Sequence, residues 1–349
     1  MQDSSYLSDQ FLDRVRRSYR LCDRSDATTE GHIWMRIDKL RTSVRDALMD
    51  PDVAPLRAIF ANPAISDLNY GFDRIARSLL SSLTTQEAQA EAEKAESERC
   101  ERQIVRLAEA LGLRRWLPPD SEHAPGYYPS DHDVSPDIDG LLNAVSREVA
   151  FDVQFPNPFP NEMGVKTSRG CASFRAVHAV YQAHRLVAEL KGSASAAILE
   201  IGPGRGRTAY YARMAGLKNY TTVDLPLGVV AQACFLAATL GTDAIWMVGD
   251  NPAEAPGRIR LLPSTVALPE GERFALILNV DSLTEMDDAA AVGYCDYIEK
   301  HADIFLSVNH EVNNLTVAKL RGKMFSSARY SRMPYWMRNG YVEEIFRFN

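Results

Sequence analysis

The sequence predicts an α/β protein: a doubly wound, seven-stranded, mostly parallel sheet with a helical N-terminal region. Three observations predict it. Between Ala197 and His310, short apolar runs alternate with helix-length segments, the pattern of strand–crossover–strand units. The first of these runs enters a glycine-rich turn and then a helix, so the strand ends can host a ligand. The chain closes on two strand-like runs, Arg329–Met337 and Tyr341–Phe348, on either side of Asn339-Gly340, a hairpin signal.

Residues 1–116 read as a helical region. Phe11, Val15 and Tyr19 recur at helical spacing, a second run covers about Gly31–Leu48 and stops before Pro51, and Leu56, Ile59 and Phe60 suggest a short third. Tyr70–Leu83 carries Phe72, Ile75, Leu79 and Leu80. Thr84-Thr85-Gln86-Glu87 resembles a capping box opening a long helix to about Leu113. Its Ala/Glu-rich first half is solvated; its second half, with Ile104, Val105, Ala108 and Leu111, would dock on the main domain or on a second subunit. Residues 117–170 read as linker and lid. Pro118-Pro119, Pro125-Gly126, Pro129 and Pro136 break the chain. His123 and His132 lie among acids there as surface histidines or metal ligands, and Tyr127-Tyr128 would line a substrate mouth or pin the loop. A short helix spans Ile138–Ala150, and Phe155–Pro160 is extended because each proline disfavours helix in the residue before it.

Residues 171–349 form the main domain. A helix from Phe174 to about Leu190 precedes the strand Ala197–Ile201. Gly202, Gly204 and Gly206 then allow positive φ and remove the Cβ atoms that would keep a ligand off the backbone. The helix from Thr208 to Ala215 points its free N–H groups at whatever lies over the turn. Strand Tyr220–Val223 ends in Asp224, placed to take the hydroxyls of a ribose. Helix Leu227–Leu240 runs between Pro226 and Gly241. Strand Ala244–Val248 ends in Gly249-Asp250, and the polar stretch to Gly271 is loop with at most one short strand. Strand Phe274–Val280 ends in Asp281, helix Asp288–His301 follows, and strand Ile304–Val308 leads to Asn309-His310-Glu311.

With 349 residues, a net charge of −7 and both signs mixed, the chain is an ordinary globular protein and nucleic acid is not a favoured partner. Five scattered cysteines without metal-ligand spacing argue for reduced thiols in a cytoplasmic protein. The polar start Met1–Ser5 lacks a signal core, and no apolar run is long enough to span a bilayer.

The dinucleotide fingerprint G-x-G-x-x-G would put its third glycine at Arg207, so a nicotinamide dehydrogenase is disfavoured. The acid followed by G-x-G-x-G, Glu200 with Gly202, Gly204 and Gly206, resembles motif I of the class I S-adenosylmethionine-dependent methyltransferases, which have a Rossmann-like fold. Val223-Asp224-Leu225-Pro226, the run Asn279–Met286 and the run Tyr335–Glu344 resemble the putative sugar O-methyltransferase family, as do Asn157-Pro158-Phe159 and the helix before motif I. The resemblance covers about residues 150–349. It implies S-adenosylmethionine as cofactor, contacted by Glu200, Gly202, Gly204, Gly206, Asp224, Leu225, Asp250 and Asn279, with Glu200 steadying the turn or receiving the cofactor amine and Asp250 accepting from the adenine amino group or capping its loop, and a sugar or glycosylated small molecule as acceptor. It also makes Arg175 and Tyr181 candidate pocket residues. Arg205 and Arg207 either contact the cofactor carboxylate or an acceptor phosphate, or are solvated.

Methyl transfer to a hydroxyl needs the hydroxyl proton removed by a positioned base or its acidity raised by a metal. At the tips of the fourth and fifth strands stand Asp281, Ser282 and Glu285, then Asn309, His310 and Glu311. Asp281 with Asn309 or Glu311 offers hard oxygen ligands suited to Mg²⁺. His310, Asp281 and Glu285 are the candidate catalytic residues, with His310 the natural base; the alternative is a capping cluster. Tyr335 and Trp336 would stack on an acceptor ring or pack as core. The competing functions are an N- or C-methyltransferase and a non-catalytic assembly partner, homo-oligomeric through the N-terminal helices.

Overall fold

The computed structural model describes residues 4–22, 40–69, 85–116, 137–160, 162–322 and 324–348. The apolar run Tyr70–Leu83, the break at 117–136 with His123, Tyr127, Tyr128 and His132, and the first part of the run Gly31–Leu48 lie outside them. The N-terminal helices are α1 (Asp9–Cys22), α2 (Thr42–Met49), α3 (Ala54–Ala61) and α4 (Gln86–Ala110). Helix α4 opens close to the expected capping box, but with Thr85 as its N-cap: the Thr85 side chain accepts from the Ala88 N–H at 3.1 Å, so N3 is Ala88 rather than the Glu87 of the box. Then come α5 (Ile138–Val149), the small hairpin β1 (Val165–Thr167) and β2 (Gly170–Ala172), and α6 (Phe174–Glu189), capped by Ser173. The remaining elements are β3 (Ile198–Ile201), α7 (Arg207–Met214), β4 (Tyr220–Asp224), α8 (Pro226–Leu240), β5 (Ile245–Met247), β6 (Ile259–Pro263), β7 (Leu276–Val280), α9 (Asp288–His301), β8 (Ile304–His310), α10 (Val317–Arg321), β9 (Arg329–Pro334) and β10 (Tyr341–Arg347).

Strands β3 to β10 form one sheet in the order β5-β6-β4-β3-β7-β8-β10-β9. All neighbours are parallel except β8–β10 and β10–β9. The sheet has eight strands rather than the seven expected. The extra one arises in the polar stretch before Gly271: β6, with Ile259, Leu261 and Leu262 buried, inserts between β4 and β5. Arg258, Arg260 and Pro263 interrupt the apolar run and hide it in the sequence. Side chains alternate across the sheet. Leu199, Ile201, Ile277 and Phe305 pack with α9 and Phe325 on one face. Ile198, Leu276, Leu278 and Leu306 pack with α6, α7 and α8 on the other. Burial on both faces is why these strands read as continuous apolar runs.

The apolar faces of the N-terminal helices are buried within the same chain. Phe11, Leu12, Val15 and Tyr19 of α1 and Ile104 and Leu107 of α4 belong to the core on the α8 side of the sheet. Arg14 of α1 pins this arrangement. Its guanidinium donates to the Asp250 carboxylate at 2.6–3.1 Å and to the carbonyls of Thr242 and Ile245. Asp250 thus anchors α1 to the edge of the sheet. Arg14→Met is expected to destabilise the protein by about 3 kcal/mol, because Asp250 keeps its burial and loses its countercharge. Urea unfolding of the two proteins measures this, and an unchanged midpoint would show that the pair anchors nothing.

Candidate active site

Strand β3 is the switch point of the sheet: the next strand in the chain lies on one side of it and β7 on the other. Ile201 is level with Val223 and with Asn279, so three strand ends open into one crevice. It contains a cavity of about 260 Å³. The glycine turn, Asp224, Leu225 and Ser264 line one end; Asp281, Ser282 and Glu285 line another. Arg175, His178 and Gln182 of α6, with Tyr335 and Arg338 beyond β9, form a further wall.

The turn has φ of +69° at Gly202, +61° at Gly204 and +79° at Gly206, which side-chain-bearing residues rarely adopt. A Cβ on Gly202 would stand 2.2 Å from Ser282 Oγ, so the turn can seat against the β7 loop only as glycine. Gly206 does not line the cavity. It forms the N-cap of α7, and a Cβ there would meet Leu236 at 3.2 Å; its work is helix packing rather than the expected cofactor contact. Asp224 accepts from the Gly204 N–H at 3.2 Å, the Leu225 N–H at 2.7 Å and Gln232 Nε2 at 3.1 Å. It sits at the start of α8, whose N–H dipoles favour its charge. Gly228 permits that approach, since a Cβ on it would fall 2.6 Å from the carboxylate.

Glu200 lies beneath the turn, 2 % exposed, and accepts the Tyr220 hydroxyl at 2.9 Å. Burial pushes its carboxyl up to about 7 from a usual 4.5, against the hydrogen bonds of Tyr220 and Thr208. Between pH 4.5 and 7 the unfolded chain has released this proton and the folded chain retains it, so stability falls across that window and levels off above it. Glu200→Gln should therefore match wild type near pH 4.5 and exceed it at pH 8 by up to about 3 kcal/mol. Denaturant unfolding at both pH values checks this; a gap that does not widen with pH would show that Glu200 is not held protonated.

At the β7 tip, Asp281 has φ +66°, a left-handed conformation of the kind that clusters at functional sites. Its Oδ2 accepts from Arg338 at 2.6 Å and from Arg175 at 3.4 Å, while its Oδ1 is buried without a hydrogen-bond partner. His310 Nε2 is 4.0 Å from Asp281 Oδ1 and 3.6 Å from Glu285 Oε1. The Nδ1 atom of His310 accepts from the Val312 N–H at 3.4 Å, which favours the tautomer with its proton on Nε2, towards the two carboxylates. The expected catalytic set, Asp281, Glu285 and His310, is thus brought together, with ligand atoms within 4.8 Å of one another.

The expected metal set is not. Asn309 is buried and donates to Asn279 and Ser307, and Glu311 pairs with Arg332 on the outer side. Asn279, expected at the cofactor, is also internal. It donates to the Ile201 carbonyl and Ser282 Oγ and accepts from Leu283 and Asn309, so it ties β3, β7 and β8 together below the cavity. Asp250, expected at the adenine, is held by Arg14 and does not line the cavity, because β6 takes the position next to β4 and brings Ser264 there instead. Arg205 and Arg207 line the cavity, but are buried and paired with Glu162 rather than solvated. Arg175 lines it; Tyr181 stacks near His184 and Tyr335 outside it. Tyr335 is buried and lines the cavity, whereas Trp336 is exposed and packs edge-on against Trp116.

The sequence reading missed His178, Gln182, Ser264 and Arg338. Arg175, His178 and Gln182 are spaced i, i+3, i+7, so the face of α6 was available from spacing once Arg175 was chosen. Arg338 stood unused inside the stretch Tyr335–Glu344.

No family model matches the chain, and no curated protein does. Among solved structures it is similar over half its length to several methyltransferases. These include the glycopeptide N-methyltransferase MtfA complexed with sinefungin, at 16 % identity over 49 % of this chain and 87 % of that one, TM-score 0.37. The CcbJ methyltransferase from Streptomyces caelestis aligns at 11 % identity over 49 % of this chain and 89 % of that one, TM-score 0.38. The mitomycin 7-O-methyltransferase MmcR aligns at 16 % identity over 50 % of this chain and 57 % of that one, TM-score 0.32. Similarity of this degree assigns no activity to the chain, whose site speaks through its own residues.

Proposed function

We propose that the chain is a class I S-adenosylmethionine-dependent O-methyltransferase acting on a hydroxyl of a sugar or glycosylated small molecule. The observation that carries this is the pairing of Asp224 with the Gly204 N–H across the crevice at the switch point of the sheet. That arrangement presents one carboxylate beside an open glycine turn, suited to a ribose next to close-lying backbone. S-adenosylmethionine, when bound, supplies an activated methyl group on sulfur. Asp224 would hold the ribose hydroxyls, and the Gly202–Arg205 backbone, Leu225 and Ser264, which line the same cavity, would hold the rest of the cofactor. Asp281 and Glu285 take the acceptor proton, and His310 holds its Nε2 proton towards them as their neighbour. A hydroxyl needs such a base and a neutral amine does not, so this cluster favours oxygen over nitrogen.

The positive charge beside Asp281 comes from the chain itself. Arg338 and Arg175 both face its Oδ2, and the Nε2 proton of His310 points where a cation would need a lone pair. Transfer is therefore expected to persist after exhaustive treatment with EDTA. Loss of activity restored by Mg²⁺ would replace the base mechanism with a metal-assisted one. Calorimetry with S-adenosylmethionine, followed by a mass screen of glycosylated acceptors for the gain of one methyl group, tests the function. A chain that does not bind the cofactor is an assembly partner instead.

A further inference from the structure

Arg175 stands in the first turn of α6. Its side chain is 42 % exposed and lines the cavity. A guanidinium carries five N–H donors. Among the described residues only Nη1 of Arg175 is engaged, meeting Asp281 Oδ2 at 3.4 Å. That contact is long, and the same oxygen already serves Arg338 Nη1 at 2.6 Å. Arg338 is fixed at its other end: Nη2 donates to the Tyr341 hydroxyl, and the guanidinium lies over the Tyr341 ring at 3.6 Å. Arg175 has no such second hold, and its Nε and Nη2 close no hydrogen bond among the described residues. The other acids of this wall are occupied elsewhere. Glu285 faces His310 at 3.6 Å, and Asp287 caps α9 by accepting from the Ala290 N–H at 2.8 Å. One carboxylate therefore answers two guanidiniums. The field on this side of α6 is positive as well. Burial, and then the charges of Arg338, Arg175, Arg99 and Arg106, hold the His178 ring well below its usual range. Arg99 pairs with Glu96, whereas Arg106 makes no ion pair among the described residues.

We infer that Arg175 is the docking point for an oxyanion of the acceptor, a carboxylate or a phosphate carried by the same molecule whose hydroxyl is methylated. The inference rests on the methyltransferase reading and narrows its acceptor from any hydroxyl compound to an anionic one. With Nη1 turned to Asp281, the edge of the guanidinium formed by Nε and Nη2 presents two parallel N–H groups. That is the fork a carboxylate or phosphate fills with two oxygens. A neutral sugar leaves this edge to water and gains nothing from it. An ammonium is repelled by the same charges that act on His178. Because Arg175 also touches Asp281, an anion on its outer edge sets the acceptor beside the carboxylate without displacing Arg338.

The test uses the full chain saturated with S-adenosylhomocysteine and three probes that share a ring and differ at its sixth carbon: D-glucose, D-glucuronate and D-glucose 6-phosphate. Binding is read by titration with ligand-observed NMR. At low salt, wild type should bind one of the two anions at least about tenfold more tightly than glucose. Which anion binds more tightly tells carboxylate from phosphate. Added salt should shrink that preference and leave glucose unchanged. Arg175→Gln should bind all three probes alike. Arg175→Lys should keep part of the preference, since lysine retains the charge without the fork. Both variants should hold S-adenosylhomocysteine within about threefold of wild type. A wild type that binds neither anion more tightly than glucose, or a preference that survives Arg175→Gln, overturns the inference. Loss of S-adenosylhomocysteine binding in Arg175→Gln overturns it too and gives Arg175 to the cofactor carboxylate. Failure of wild type to bind S-adenosylhomocysteine refutes the methyltransferase reading instead.

Discussion

S-adenosylmethionine should bind Asp224→Ala about 100-fold more weakly than wild type. Two effects combine. The carboxylate proposed to meet the ribose is lost, and such charged hydrogen bonds are each worth about 1.5–3 kcal/mol. The Gly204 and Leu225 N–H groups and Gln232 also lose their common acceptor, so the turn loses its tie across the crevice. A cofactor analogue without ribose hydroxyls separates the two. It should bind wild type more weakly than the parent cofactor, and bind Asp224→Ala no more weakly than the parent does, because the hydroxyls then have no partner to lose. Equal affinity of S-adenosylmethionine for wild type and Asp224→Ala would remove Asp224 from cofactor recognition.

Turnover should suffer most from Asp281→Asn, by about 10²–10⁴-fold, the range of a lost general base. Cofactor affinity should stay within about threefold of wild type, since the proposed function puts this side chain at the acceptor end. The choice of asparagine matters. Asp281 has φ +66°, and asparagine tolerates that conformation where a bulky or β-branched residue does not. The amide oxygen can still accept from Arg338, so the fold is kept while the charge is removed. A variant with wild-type turnover on the acceptor found by the mass screen would leave Asp281 as the partner of Arg338 and nothing more.

The glycine turn, Asp224 and the cluster Asp281, Glu285 and His310 were legible because each rests on local pattern. Glycines at alternate positions after a buried strand need no distant information, and an acid at a strand tip is placed by the strand itself. Asp250 failed for a nonlocal reason: β6 inserts between β4 and β5, so the tip expected beside Asp224 stands at the edge of the sheet, where Arg14 captures it. Asn309 precedes His310, and strand alternation turns it inward, where it bonds Asn279; Asn279 stays within β7, whereas Asp281, two residues on, leaves the strand with φ +66°. Glu311 is turned the other way and reaches Arg332. His178 shares a helix face with Arg175, but which face of α6 turns to the crevice is set by packing against α4, where Gln103 meets His178 from 75 residues earlier.

What the amino-acid order determined by itself is the alternation of strand and helix, the positive-φ turn and the acids at strand ends. These follow from backbone freedom and from a burial period of two or 3.6 residues. The tertiary structure alone decided which strand lies next to which, which acids meet arginines, and which side chains of α6 face the crevice. Hydrogen-bond and charge partners lie tens to hundreds of residues apart, and only packing in three dimensions brings them within the few ångströms over which such interactions act.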